Sequence, residues 1–224
     1  MDNHEQKAEY RKLERMTDFF IARLDSYEEH MLTDAGKDAY EKLAELVPGN
    51  TKKLLDLRCG TGLELDEIFK RLPSVSVIGI DLTQEMLDKL KQKHPDKDIK
   101  FICGNYFDID LGKNTFDTAV SFQTMHHFSH EEKVGLYRRI HRALKPKGVY
   151  IEADSIVPEQ SVEDELYAEN ARVRREMNIP EGKFYHFDTP CTVDNQVAMF
   201  MQAGFVSTDV VSKTEKSAIM VARK

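Results

Sequence analysis

Hydrophobic residues near the start of the chain recur at three- and four-residue steps: Tyr10, Leu13, Met16, Phe20, Leu24, Tyr27 and Met31. That spacing puts them on one stripe of a helix and predicts a long amphipathic helix packed on the rest of the protein. Thr33 is placed to cap a second helix with Ala35, Ala39, Leu43 and Leu46 on one face, and Pro48-Gly49-Asn50 stops it. Residues 1–50 are therefore expected to form an N-terminal helical cap.

From residue 51 the pattern changes. Lys53 to Leu57 reads as a short buried strand, Val75 to Ile80 as a β-branched one, and Ile99 to Ile102, Phe116 to Ser121 and Val149 to Ala153 as three more. Helical periodicity separates them, at Leu65, Ile68, Phe69 and Leu72, at Gln84 to Lys93 with Thr83 as its cap, and at Glu131 to Leu144. After an interruption over 154–190, a helix from Val193 to Ala203 ends at Gly204. Two strands, Val206 to Val211 and Ala218 to Ala222, close the chain as an antiparallel hairpin. Alternation of this kind predicts an α/β fold: a doubly wound, mostly parallel seven-stranded sheet with a C-terminal antiparallel hairpin, N-terminal helices and a small lid insert. The expected division is a cap over 1–50 and a Rossmann-like domain over 51–224, with the lid insert at 154–190.

Composition narrows the function classes. The 224 residues are 41% hydrophobic and 32% charged, as in a globular protein with one good-sized core. A net charge of -7 repels phosphate backbones and argues against nucleic-acid binding. No apolar run is long enough to span a bilayer, and the polar start lacks a signal-peptide core. Cys59, Cys103 and Cys191 are an odd, widely spaced set, which suits a reducing cytoplasm rather than a disulfide framework. No CxxC pair is present to build a zinc site.

The candidate chemistry begins after the first strand. In a doubly wound sheet, ligands sit outside the carboxyl ends of the strands. A turn carrying Gly60 and Gly62 lets backbone approach a ligand, and the following helix offers free N–H groups. Asp81 ends the second strand, where an acid accepts hydrogen bonds from ribose hydroxyls. The two features together point to a nucleotide-like ligand more strongly than a Gly-rich loop alone.

These residues carry a resemblance. Leu54-Leu55-Asp56-Leu57-Arg58-Cys59-Gly60-Thr61-Gly62 resembles motif I of class I S-adenosylmethionine-dependent methyltransferases, and Gly79-Ile80-Asp81-Leu82-Thr83-Gln84-Glu85-Met86-Leu87 resembles motif II. Gly104-Asn105-Tyr106-Phe107, Phe116 to Ser121 with Met125-His126-His127-Phe128, and Leu144-Lys145-Pro146-Lys147-Gly148 are similar to the later motifs. The resemblance implies S-adenosylmethionine as cofactor. It implies that Asp56 and the backbone of Arg58, Cys59 and Gly60 face its methionine part, that Asp81 holds the ribose, and that Leu82 and Met86 sandwich the adenine. Asn105 and Tyr106 would lie at the adenine edge, and Gln123 at the methionine end. Tyr27 or Arg23 would close over the cofactor.

One position departs from the family pattern. Arg58 stands where relatives usually have Gly, and a left-handed backbone there costs a side-chain residue on the order of 1–2 kcal/mol. The expected function is in-line methyl transfer to a small-molecule acceptor. The alternative is a non-catalytic protein of this fold that binds a nucleotide-like ligand or a protein partner, with cofactor binding weakened by Arg58. A nicotinamide-dependent dehydrogenase is disfavoured, because Arg58 stands where GxGxxG requires its first glycine. His127 and His186 are the candidate catalytic bases. His126, His127 and His130 are close in sequence, but with no carboxylate from a second element no metal is expected. The insert, with Tyr167, Arg172, Tyr185, His186 and Asp188, is the expected source of acceptor choice.

Overall fold

A computed structural model describes residues 13–224, apart from the side chains at 34 and 35. Tyr10 and the Ala35 side chain of the expected stripes lie outside the described residues. Seven strands form one sheet: β1 (Lys53–Leu57), β2 (Ser76–Asp81), β3 (Ile99–Cys103), β4 (Phe116–Phe122), β5 (Leu144–Ser155), β6 (Ser207–Lys213) and β7 (Ser217–Arg223). Their order is β3-β2-β1-β4-β5-β7-β6. β1 to β5 are parallel, and β7 lies antiparallel to both β5 and β6. The expected α/β architecture is the observed one. β5 is longer than its apolar run because pairing with β4 resumes across an irregularity between Phe116 and Thr118, and it continues to Ser155. Asp154 therefore belongs to the strand, and the insert leaves the sheet after Ser155.

The helices are α1 (Met16–Ile21), α2 (Tyr27–Met31), α3 (Lys37–Leu46), α4 (Leu63–Arg71), α5 (Gln84–Lys93), α6 (His130–Ala143), α7 (Gln160–Glu176) and α8 (Val193–Ala203). The two-residue period of the strands splits the core between them. Leu55, Leu57, Ala119 and Tyr150 face α6 and α8, where they meet Tyr137, Ile140 and Phe200. Leu54, Val120 and Ile151 face the other way, onto Leu43 of α3, Ile68 of α4 and Leu90 of α5. Four features fix helix ends. Gly62 and Gly204 take left-handed conformations at the start of α4 and the end of α8. Ser129 and Glu132 form a reciprocal capping box on α6. Thr192 caps α8 through Asn195 N–H.

The N-terminal region differs from its expectation. The single long helix is broken into α1 and α2 by a turn at Ala22–Ser26, where Arg23 and Leu24 bond to the carbonyls of Phe20 and Ile21 three residues back. The break turns Phe20 and Tyr27 toward the carboxyl edge of the sheet, a direction a straight stripe does not encode. Thr33 does not cap a helix: its hydroxyl donates to the Glu29 carbonyl at 2.7 Å within a π-turn over Leu32–Gly36, and α3 begins after Gly36. Thr83 likewise spends its hydroxyl on Asp81 rather than on the start of α5. The segment before α1 is strapped to the insert, with Arg15 bridging Tyr185, Met16 N–H donating to Phe184 O, and His186 N–H donating to Glu14 O.

Leu43 is fully buried between α3 and the sheet. Leu43→Ala is expected to lower unfolding free energy by ~2–5 kcal/mol in urea titration. A loss well under 1 kcal/mol contradicts the packing of α3 described here.

Candidate active site

β1 and β2 end side by side, and the turn after β1 is pinned to β2. Arg58 N–H and Cys59 N–H both donate to the Ile80 carbonyl, at 2.7 and 3.1 Å. Gly60 N–H donates to Asp81 Oδ2 at 3.0 Å, while Asp81 Oδ1 accepts from Thr83 N–H and its hydroxyl, both at 2.9 Å. Asp81 is 5% exposed, so all three bonds form in a desolvated setting, where charge-assisted bonds are strong. A side-chain atom added at Gly79 would stand 2.9 Å from Cys59 Sγ, so the tight β1–β2 approach uses the missing Cβ. Cys59 therefore faces the sheet, and burial pushes its thiol up from the ordinary range.

A cleft opens beyond this edge, lined by Met16, Phe20, Tyr27, Arg58, Gly60, Asp81, Leu82, Thr83 and Met86. The Tyr27 ring covers Gly60: a Cβ there would lie 3.5 Å from the Tyr27 oxygen. Arg58 has φ 64°, the left-handed conformation in which a side chain is strained. Its guanidinium lies 4.1 Å from the centre of the Phe20 ring and donates to the Gln123 carbonyl at 2.8 Å. Arg58 thus spans the cleft between α1 and the end of β4, and it does not pair with Asp56.

Asp56 lies beneath the loop, fully buried, and its carboxyl meets that of Glu64, the two acids sharing a hydrogen bond. Burial and the neighbouring Glu64 raise its carboxyl well above the usual range, and burial pushes Glu64 up to about 7. Thr61, in the same turn, is buried and hydrogen-bonds through its side chain to Glu28. A buried pair of acids thus lies under the glycine turn, with a third acid at the end of β2, at the sheet edge where ligands of doubly wound folds sit.

The sequence candidates thus fall into groups. Tyr27, Arg58, Gly60, Asp81, Leu82 and Met86 line one cleft, with Asp56 and Cys59 below its loop. Gln123 joins through its carbonyl and has φ 49°. Asn105 closes its own turn, its Oδ1 accepting from Phe107 N–H and its amide donating to Asp108, and Tyr106 is buried next to it. Arg23 points outward. It pairs with Glu14 at 3.3 Å and lies over Phe19, so it does not line the cleft.

On the other side of Phe20 is a second polar group. The Phe20 ring centre is 6.4 Å from that of His127 and 5.9 Å from that of His186. His186 stacks on Phe19 at 3.5 Å. Asp188 Oδ1 lies 3.1 Å from His127 Nδ1, 3.6 Å from His126 Nε2 and 3.7 Å from His186 Nε2. Behind them, Asp154 receives both the His126 N–H, at 2.9 Å, and its ring Nδ1, at 2.5 Å. Asp154, at the end of β5, carried no signal in the sequence: an acid closing an apolar strand reads as a solvated residue. Asp188 supplies, from the insert, the carboxylate that the local histidines lack in sequence.

Burial lowers His127 well below its ordinary value, helped by His126 and Arg58 and opposed by Asp188. Burial also lowers His186, to about 4, with Asp188 opposing and Arg58, His126 and Arg23 assisting. Asp188 resists ionisation through burial, but the imidazoles outweigh that and hold it below the usual range. In the unfolded chain an imidazole takes its proton near pH ~6.5. The unfolded state therefore binds more protons below that pH, and the histidine contribution to stability, complete above it, is lost as pH falls toward about 4. Buried Glu64 and Glu152, with carboxyls raised to about 7 and about 8, act in the opposite sense. The informative quantity is thus a difference: between pH ~6.5 and ~4.5, the urea midpoint of His186→Gln should fall less steeply than that of the wild type. Parallel profiles contradict a buried neutral His186.

Residues 54–148 match the family model described as a methyltransferase domain. The chain is 26% identical over 141 residues to the sterol 24-C-methyltransferase of Kluyveromyces lactis, a match covering 60% of this chain and 37% of that protein. It is 25% identical over 202 residues to the carboxy-S-adenosyl-L-methionine synthase of Wolinella succinogenes, covering 83% of each. Human N-acetylserotonin methyltransferase, solved in complex with S-adenosylmethionine, superposes with a TM-score of 0.63 at 17% identity, over 92% of this chain and 58% of that one. The chain thus spans little more than a third of the sterol enzyme's length. No helix among the described residues is long and apolar enough to cross a membrane. With the strand order, the glycine turn and the acid at the end of β2 all in place, residues 54–148 carry a methyltransferase domain similar to those of class I S-adenosylmethionine-dependent enzymes.

Proposed function

We propose that this protein transfers a methyl group from S-adenosylmethionine to a small-molecule acceptor. The observation that carries the reading is the pairing of Asp81 with the Gly60 turn above the buried Asp56–Glu64 pair. Asp81 would hold the ribose hydroxyls, Leu82 and Met86 the adenine, and Asp56 with the loop backbone the methionine end. Tyr27, over Gly60, offers an aromatic face to a sulfonium cation. Bound there, the cofactor supplies an electrophilic methyl group.

The protein's own contribution is positioning and exclusion of water. Met16, Phe20 and Tyr27 wall the cleft from the N-terminal side. His127 and His186, both held neutral, lie across Phe20 and are available to take a proton from an acceptor that must lose one. The insert is short, and the net charge of -7 is unfavourable to nucleic acid, both of which favour a small acceptor. The names of the sterol and N-acetylserotonin enzymes point to acceptors of that size.

A second reading is supported by Arg58. Its guanidinium occupies the cleft in a strained backbone conformation, anchored to Phe20 and Gln123. If that bridge does not yield, the fold binds a partner or a nucleotide-like ligand without turnover. Calorimetric titration of S-adenosylhomocysteine separates the readings. The wild type is expected to bind, Asp81→Ala to bind about tenfold more weakly or worse, and Arg58→Gly to bind about tenfold tighter, a change of ~1.4 kcal/mol. Binding by Arg58→Gly alone supports the non-catalytic reading. Binding by neither protein overturns the cofactor assignment.

A further inference from the structure

Independently of the methyl-transfer reading, the group beyond Phe20 has the makings of an ion site. Among the described residues, His126, His127 and Asp188 each bring one donor atom within 4.8 Å of the others. The histidine side chains are 7% and 3% exposed, and the Asp188 side chain 55%. Asp154 fixes His126 by ring and backbone at once, which commits Nδ1 and leaves Nε2 as the free ligand atom directed at Asp188. A carboxylate behind a histidine, setting its tautomer, is the usual outer partner of a metal-bound imidazole. His127 Nδ1 lies 3.1 Å from Asp188 Oδ1 and hydrogen-bonds to it, so both imidazoles face the same carboxylate oxygen. Thr189 N–H and its hydroxyl both bond to the His126 carbonyl, at 2.6 and 3.0 Å, so Asp188 is carried to the histidines by its own neighbour.

We propose that His126, His127 and Asp188 bind one divalent first-row transition-metal ion, of the zinc or iron(II) kind. Ligand atoms about 2.1 Å from a shared ion lie roughly 3.0–3.4 Å apart in tetrahedral or octahedral arrangements. The observed separations from Asp188 Oδ1, 3.1 and 3.6 Å, need little adjustment, and the half-exposed Asp188 is free to make it. Two imidazoles and one carboxylate select this class of ion over calcium and magnesium, which take oxygen ligands, and over copper(I), which takes sulfur. With the ion in place His127 is a ligand, which leaves His186 as the group free to take a proton. The ion would sit across Phe20 from the cofactor cleft, on the side of the insert.

A second group, His130, Glu163 and Cys191, also brings donor atoms together. Its members are already engaged: Lys133 donates to Cys191 Sγ at 2.9 Å, and Glu163 accepts from Thr192 N–H and Asn195. A lysine cation against the sulfur makes that group a poor host, and it serves as an internal control.

The test is titration of chelator-treated protein with cobalt(II), read by its visible absorption bands, and with zinc(II), read by calorimetry. One equivalent per chain is expected to bind. Asp188→Asn and His127→Ala should each weaken binding about tenfold or more, and Cys191→Ser should leave it unchanged. Asp188→Asn keeps shape and lies partly at the surface, so its result stands even if His127→Ala folds poorly. Absence of a stoichiometric site, unchanged affinity in Asp188→Asn, or loss of binding in Cys191→Ser overturns the assignment. Titration of S-adenosylhomocysteine into the same samples reports the Asp81 cleft separately.

Discussion

Gly60 gives its amide hydrogen to Asp81, and much of the site's geometry depends on that bond. It ties the turn after β1 to the end of β2, in a place where the Ile80 carbonyl already holds the two preceding amides, of Arg58 and Cys59. Gly104 N–H reaches the Asp81 carbonyl at 2.8 Å, so the loop after β3 is drawn to the same point. A parallel sheet delivers the ends of its strands to one edge, and this set of bonds fixes how the loops leave that edge. Asp56, Leu82 and Met86 take their places as a consequence.

The cleft so formed is partly filled by the protein itself. Phe20 and Tyr27 come from a segment that the broken N-terminal helix folds over the edge, and Arg58 reaches up to meet them. The bridge combines a cation over an aromatic face with a charged hydrogen bond to Gln123, worth roughly 2 kcal/mol or more together. The left-handed backbone at Arg58 costs on the order of 1–2 kcal/mol. The two effects are close in size, so Arg58 is held across the cleft without a large margin. The strap between residues 14–16 and 184–186 links this N-terminal cover to the insert, so the two borders of the site are joined.

The fold was largely legible from the amino acids, for physical reasons. α5 and α8 have the bounds that their periodicity and terminating residues predict, because each is an amphipathic helix with one face against the sheet, on opposite sides of it. The glycine turn and Asp81 were legible because they are local and their spacing is tied to a βαβ unit. What was not legible depends on contacts distant in sequence. A three-to-four-residue stripe marks which residues face inward but not where a helix breaks, so the turn at Ala22–Ser26 went unseen. The route of Arg58 was open until Phe20 and Gln123 were placed around it. Asp188 meets His126 and His127 only because the insert returns to the sheet edge beside Ile156 and Cys191. Asp154 reads as an ordinary acid until the His126 ring is seen against it.

The central claim is that the cofactor occupies the β1–β2 edge beneath the Phe20, Tyr27 and Arg58 cover. Amide hydrogen exchange with and without saturating S-adenosylhomocysteine tests it most directly. Slower exchange at 58–62 and 81–86, together with altered exchange at 16–31, is the predicted result. Bound ligand that leaves all three segments unchanged contradicts the account.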